Sequence, residues 1–380
     1  MNFDYYIPTR ILFGAGKLNQ LIEEALPGKK ALIVISSGTS MRKFGYLERL
    51  EGLLKQQNIE SVVYDKILPN PIKEHVMEGA ALAKETSCDF VIGLGGGSSI
   101  DAAKAIALMA VNPGDYWDYI GGGSGKEQPV ENGALPIIAI TTTAGTGTEA
   151  DPWTVITNGD EKIGFGDPSC TFPTLSVVDP ELMTSVPPQL TAFQGFDALF
   201  HAVEGYIANI ATPMSDMYAL ESIRLVANFL PAAVADGSNI EARESVALAN
   251  TLSGMVESTS CCISEHSLEH AMSGMHSELP HGAGLIMLSE AYFPHFAKAC
   301  TGRYTNMAAA MGGTDFMTEL LKLQTTCGVD NLKMSDYGIT QEELPAIAAN
   351  ARDTMGFLFE LDPVTLSVEE TLSILQSAWE

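Results

Sequence analysis

Positive charge is scarce in this chain. Its 380 residues carry 21 Lys+Arg against 47 Asp+Glu, a formal net charge of −26. A surface so acidic repels phosphate backbones, which argues against nucleic acid as a partner and against a multiply charged anionic substrate. Long apolar runs are missing as well: none approaches the roughly 20 residues needed to cross a bilayer. The opening residues, Met1-Asn-Phe-Asp-Tyr-Tyr, lack the basic and apolar regions of a signal peptide, so a cytoplasmic location is expected. The six cysteines (Cys88, Cys170, Cys261, Cys262, Cys300 and Cys327) show no CxxC spacing, and a disulfide framework is not expected. The adjacent Cys261 and Cys262 read as buried thiols in a helix rather than metal ligands. No internal repeat, charged tail or low-complexity tract stands out.

What is present is an ordinary globular composition, 46% hydrophobic. The length exceeds what one hydrophobic core serves, so two domains are expected. In the first half, strand-like and helix-like segments alternate. Lys30 to Ile35, Ser61 to Tyr64, Asp89 to Leu94 and Leu135 to Ile140 read as buried strands, separated by helical stretches. This succession predicts a mostly parallel sheet covered by helices on both faces. Residues 151–179 read as irregular. After Pro187-Pro188 the alanine- and leucine-rich segments have helical spacing, so the boundary is placed near 185. The expected division is an α/β dinucleotide-binding domain over 1–185 and an all-helical domain over 186–380.

Two glycine turns follow predicted strands. The first is Gly93-Leu-Gly95-Gly96-Gly97-Ser98-Ser99-Ile-Asp101, where a strand gives way to a helix. Glycines let the backbone approach a pyrophosphate, and the first amides of the helix then point at it. Asp101 would either cap its own helix or accept a hydrogen bond from the ligand. The second turn, Thr141-Thr142-Thr143-Ala144-Gly145-Thr146-Gly147, lies after the next strand. Polar glycine loops at the carboxyl ends of neighbouring strands fit the edge where α/β sheets bind ligands.

Four of the seven histidines fall between positions 266 and 281. His266 and His270 share a helical face, as do Asp197 and His201 upstream, and His281 lies close by in sequence. Carboxylate and imidazole in this density make a site for a divalent transition metal. His75 and His295 read as structural residues, and His276 as a loop residue. Spacing alone does not choose between His266 and His270 as a ligand.

Together these segments are highly specific. Gly95-Gly-Gly-Ser98 with Asp101, Thr142-Thr-Ala-Gly-Thr-Gly147, Gly195-Phe-Asp-Ala-Leu-Phe-His-Ala-Val-Glu204, His266-Ser-Leu-Glu-His270 and Pro280-His-Gly282 carry a family likeness. So do Pro69-Asn70-Pro71 and Ala351-Arg-Asp-Thr-Met-Gly356. The chain resembles the iron-dependent (group III) alcohol dehydrogenase family across essentially its whole length. The resemblance implies Fe²⁺, or in some members Zn²⁺ or another divalent ion, held by Asp197, His201, His266 and His281. It implies proton transfer at His270. It also implies a nicotinamide cofactor contacted by Asn70, Gly96, Gly97, Ser98 and Asp101 from the first turn's side. Thr142, Thr143, Thr146 and Lys162 complete that set, although Lys162 also reads as solvated surface. The activity implied is hydride transfer between small alcohols, diols or aldehydes and NAD or NADP, in a homodimer or larger assembly.

Departures from the family pattern are the extra His276, Thr141 in place of a common proline, and Trp153 and Phe200 where smaller or polar residues are frequent. The last two bear on pocket size. At the end of the first core strand, Ser36 and Ser37 stand where an acid would repel a 2′-phosphate, and Arg42 and Lys43 follow, so NADP is permitted and slightly favoured. The rival readings are a glycerol dehydrogenase-like polyol enzyme, a dehydroquinate synthase-like lyase, and a non-catalytic metal or nucleotide binder. The lyase wants cations for its anionic substrate, and Lys and Arg are sparse around the histidine motifs.

Overall fold

The structure, a computed structural model, describes residues 2–379. Strands β1 (Arg10–Phe13), β2 (Lys30–Ser36), β3 (Glu60–Ile67), β4 (Phe90–Gly95) and β5 (Ile137–Thr141) lie in the first part of the chain. β6 (Thr154–Asn158), β7 (Glu161–Phe165) and β8 (Leu175–Val178) follow. Among the described residues six strands form one parallel sheet, ordered β1-β8-β5-β4-β2-β3. The inner strands are buried along almost their whole length, which their unbroken apolar runs require.

Alternation along β2 divides the two faces. Ala31, Ile33 and Ile35 pack with α1 (Tyr46–Gln56), whereas Leu32 and Val34 pack with α2 (Lys73–Glu85) and α3 (Gly97–Met109). Residues 151–179, read from sequence as irregular, hold the antiparallel β6–β7 hairpin and β8, which inserts between β1 and β5. Its four residues, and the four of β1, are too short for a periodic signal to emerge.

From Pro188 onward the described structure is helical: α4 (Pro188–Ile207), α5 (Pro213–Ala235), α6 (Ile240–Thr259), α7 (Ser264–Met275), α8 (His281–Tyr292) and α9 (Leu344–Met355) are its main members. Pro188 and Pro213 occupy the first turns of α4 and α5, where a missing amide costs nothing. Thr212 and Ser215 cap α5 reciprocally, and Asn239 caps α6. These helices share a core in which Phe200 stacks on Phe293 with ring centroids 5.7 Å apart. Phe200 is therefore core, not pocket wall as the sequence comparison had implied. Cys261 and Cys262 are buried, but in the turn between α6 and α7 rather than in a helix.

Asp362 ties the carboxyl-terminal segment to the start of α7, accepting from the Ser264 amide at 3.1 Å and its hydroxyl at 2.9 Å. Burial raises its pKa to about 7. The folded protein thus binds a proton that the unfolded chain releases near its usual value of 3.8. This stabilisation is complete below that value and is lost as pH rises toward 7. Asp362→Asn should flatten the fall in the metal-free protein's thermal midpoint between about pH 5 and 7, a window set by the raised carboxyl pKa. An unchanged slope by scanning calorimetry counts against it.

Candidate functional site

Asp197, His201 and Glu204 lie on one face of α4, and all three are buried. The same spacing brings His266 and His270 onto one face of α7, and α8 begins with His281. Close backbone approaches bring these elements together. A Cβ at Gly282 would stand 2.1 Å from the Phe193 carbonyl oxygen, and one at Gly145 would meet Asp197 Oδ2 at 3.0 Å. Glycine there lets α8 and the second glycine loop reach the aspartate's neighbourhood.

Asp197 Oδ1 is the common point. It lies 3.4 Å from His201 Nδ1, 3.8 Å from His266 Nε2 and 3.4 Å from His281 Nε2. Asp197 Oδ1, His201 Nδ1 and His266 Nε2 are buried with no hydrogen-bond partner among the described residues. Each atom left so costs about 1–3 kcal/mol, a cost that a divalent cation removes. His266 and His281 each engage a buried carboxylate through Nδ1, the first with Glu204 and the second with Glu269. With Nδ1–H donating, each Nε2 keeps its lone pair on the side of Asp197. The donor set and its orphaned atoms fit Fe²⁺ or Zn²⁺.

Lys162 on β7 is not solvated surface. It is buried, donates to Ser273 Oγ at 2.8 Å and lies 3.3 Å from Glu269 Oε2. His270 has its ring centroid 5.3 Å from that of His281, and its Nδ1 is 3.0 Å from Met355 Sδ. His276 lies outside the cluster, with Nε2 3.5 Å from Glu343.

Protonation is divided within the cluster. Burial opposes charge on Asp197, but His201 and His281 outweigh it and hold the carboxyl well below its usual range. Burial lowers His201 to about 3 and, with Lys162 and the neighbouring imidazoles, takes His270 well below its ordinary value. For His266 burial is overcome by Glu204 and then Asp197, and for His281 mainly by Glu269, so both are raised.

The glycine turns meet this cluster from the sheet side. Register pairs Gly95 with Thr141, so both loops leave neighbouring strands at one level. They interlock: a Cβ at Gly97 would meet Thr146 Cγ2 at 2.4 Å, and one at Gly96 would meet Thr143 Oγ1 at 3.0 Å. Hydrogen bonding in α3 begins with the Ser99 and Ile100 amides, which donate to the Gly96 carbonyl at 3.0 and 3.3 Å; the Gly97 and Ser98 amides precede them, as at an anion-binding helix start. Ser98 Oγ donates to the Pro69 carbonyl, and Asn70 donates to the Ser277 carbonyl at 2.8 Å. Asp101 neither caps its helix nor stands free. It accepts from Thr148 Oγ1 at 2.7 Å and the Val155 amide at 3.0 Å, which braces β6.

A cleft of about 880 Å³, its mouth included, joins the two halves. Asn70, Gly97, Ser98, Asp101 and Thr146 line it from the sheet, and His201, His266, His270 and His281 from the helices. Lys162 and Trp153 also line it, whereas Ser36, Gly96, Thr142, Thr143 and Asp197 are not among its lining residues. Six residues after Ser36, Arg42 is paired with Asp65 on β3 at 2.6 Å. Sequence reasoning missed Glu204 and Glu269 behind the imidazoles. Glu204 was within reach, since it follows Asp197 by seven residues on the same helical face. Glu269 was not, because on α7 it stands beside His270 and no local spacing links it to His281 at the start of α8.

A doubly wound sheet joined to helices that carry a buried carboxylate–imidazole cluster is the architecture of a metal-dependent dehydrogenase. The chain belongs to the iron-containing alcohol dehydrogenase family: that family's description matches residues 8–180, and its carboxyl-terminal counterpart matches residues 191–379. It is 31% identical to the NAD-dependent methanol dehydrogenase of Bacillus methanolicus, covering 99% of each chain. Identity to the 1,3-propanediol dehydrogenase of Klebsiella pneumoniae is 33% over 92% of each. A crystal structure of an archaeal halo-thermophilic alcohol dehydrogenase from a Red Sea brine pool superposes with a TM-score of 0.95 at 33% identity. That match covers 100% of this chain and 99% of the other.

The carboxylates behind the histidines generate a prediction. Glu204→Ala or Glu269→Ala should weaken divalent-metal affinity by roughly 10–100-fold, as losses of such supports do. Competition with a chromogenic chelator reads this directly, and unaltered affinity in both variants rejects the orienting role.

Proposed function

We propose that this chain is a metal-dependent, nicotinamide-linked dehydrogenase of small alcohols, running in reverse as an aldehyde reductase. In this reading Asp197, His201, His266 and His281 hold the cation, Fe²⁺ or Zn²⁺. Asn70, Gly96, Gly97, Ser98, Asp101, Thr142, Thr143, Thr146 and Lys162 form the cofactor's side. What supports it above all is one cleft lined by both the glycine-loop residues and the histidines. When bound, the cation supplies Lewis acidity toward the alcohol or carbonyl oxygen, and the nicotinamide supplies or takes up the hydride.

The chain's own residues do the rest. Glu204 and Glu269 hold His266 and His281 in one tautomer. His270 is neutral, and a thioether only accepts, so its Nδ1–H donates to Met355 and Nε2 is the basic nitrogen. During alcohol oxidation Nε2 takes up the hydroxyl proton and passes it outward, and during aldehyde reduction it returns it. The buried, largely apolar wall beside it keeps bulk water from that transfer.

The same proposal divides the chain near residue 185 into cofactor and metal domains, and places a homodimer or larger homo-oligomer in the cytoplasm. Among the described residues no helix is long and apolar enough to cross a membrane. Ser36 and its neighbours admit a 2′-phosphate, but the Arg42–Asp65 pair puts a carboxylate beside one of the two cations that follow in sequence. Use of both NADH and NADPH is therefore expected, and a strict NADH preference removes Ser36 from the contact set.

Nicotinamide absorbance with short aldehydes, before and after chelation, tests the assignment. Activity should vanish with chelator and return with Fe²⁺ or Zn²⁺. His281→Ala should lose metal and activity together. His270→Ala should keep its metal and slow turnover by roughly 10²–10⁴-fold, the usual worth of a positioned acid–base group. Equal metal content in wild type and His281→Ala overturns the ligand set.

A further inference from the structure

One carboxyl group in the cleft belongs to neither the histidine cluster nor the glycine loops. Glu257, near the end of α6, lines the cleft at 5% exposure. Its Oε2 accepts from the Cys262 amide at 3.1 Å and the Cys262 thiol at 2.9 Å. Its Oε1 is buried and has no hydrogen-bond partner among the described residues. The other lining acids are engaged: Asp151 with Lys104 at 3.1 Å, and Asp101 with Thr148 and Val155. Lys162 is the one Lys or Arg among the lining residues, and it is already committed to Glu269 and Ser273. Among the described lining residues, no Lys or Arg is left over for Glu257.

Distance relates this group to the reacting position. The Cys262 thiol that touches Glu257 has its sulfur within 4.8 Å of ligand nitrogens of both His201 and His266. Glu257 is thus separated from the histidines by little more than the Cys262 side chain, and all four residues line the same cleft. Trp153 donates its indole N–H to the Glu257 carbonyl at 3.2 Å and lines the same cleft with Met355 and Leu358. The free oxygen is thus a polar point set in a largely apolar wall, an arrangement that fixes a small ligand's orientation.

Resting on the dehydrogenase reading, we propose that Glu257 is the substrate's second anchor. It accepts a hydrogen bond from a donor at the far end of a short alcohol, either a hydroxyl or a protonated amine, while the carbinol end meets the histidines. Short diols and amino alcohols are then the preferred class over plain alkanols. A plain alkanol leaves the buried oxygen unpaired, and that mismatch is what discriminates.

Wild type, Glu257→Gln and Glu257→Met holoenzymes should be compared on 1-propanol, 1,3-propanediol and 3-amino-1-propanol, which share a carbon skeleton. Wild type should favour one or both donor-bearing alcohols over 1-propanol by at least about 10-fold in kcat/KM. Glu257→Met should bring the ratio near unity, chiefly through KM. A diol preference kept by Glu257→Gln and lost in Glu257→Met identifies a hydroxyl. An amino-alcohol preference lost in both identifies an ammonium. A merely structural role in the Cys262 turn would depress all three substrates alike. No wild-type preference, or one that survives in both variants, overturns the proposal. Ligand-induced thermal stabilisation separates the two readings. Glu257-dependent stabilisation by the diol or amine without any turnover retains the anchor and rejects the dehydrogenase, whereas turnover without preference rejects the anchor alone.

Discussion

Everything in this protein is arranged around one buried oxygen, Oδ1 of Asp197, and the three imidazole nitrogens that face it at 3.4–3.8 Å. A carboxylate withdrawn from water is expensive unless opposite charge stands beside it. Here the compensation comes from residues on three helices, so the helices cannot be repositioned independently. The requirement explains otherwise odd features of the packing. Gly282 admits the Phe193 carbonyl, Gly145 admits Asp197, and Gly284 leaves room for the Glu269 side chain. Each is a place where a methyl group would push an element of the carboxylate–imidazole cluster out of register.

The imidazoles are not equivalent. His266 and His281 each have a carboxylate behind them, and Glu269 is in turn steadied by Lys162. His201 has no such support among the described residues and is the one that burial drives down to about 3. Two rings are therefore fixed by second partners, and the third by the helix that also carries Asp197. Lys162 links the halves of the molecule: it rises from the β6–β7 hairpin, yet its charge is spent on the histidine side.

Much of this was legible before any coordinates, and the pattern of what was not is physical. The parallel sheet announced itself because buried strands read as unbroken apolar runs, and the Asp197–His201 and His266–His270 pairs because helical spacing is local. β1 and β8 stayed hidden, since four residues carry no period. The choice of His266 over His270 came only from family likeness, because both point from the same face of α7. Asp101 and Lys162 show the deeper limit. Their residue types suggested a ligand contact or a solvated tip, but their partners, Thr148, Val155 and Glu269, come from distant parts of the chain. Phe200 misled for the same reason: what a helix residue meets depends on the helix packed against it, here the end of α8 and Phe293 beyond it.

The acidic composition takes on a sharper meaning inside the cleft. In the proposed reading, a chain this poor in Lys and Arg would hold a dinucleotide through backbone amides at the start of α3, because dipoles and N–H groups need no net charge. Around the cleft, Lys104 is taken by Asp151 and Lys162 by Glu269, so no lining Lys or Arg remains for another lining acid. Glu257 is in that position, with burial raising its pKa to about 8 and one oxygen unpaired. Holding such a group in an apolar wall costs stability in the free protein and returns nothing to the fold beyond the Cys262 contacts. A ligand that brings a hydrogen-bond donor to that oxygen recovers the cost on binding, whereas one that brings a methyl group does not. Affinity and selectivity in this cleft then have a common origin in the same unsatisfied atom.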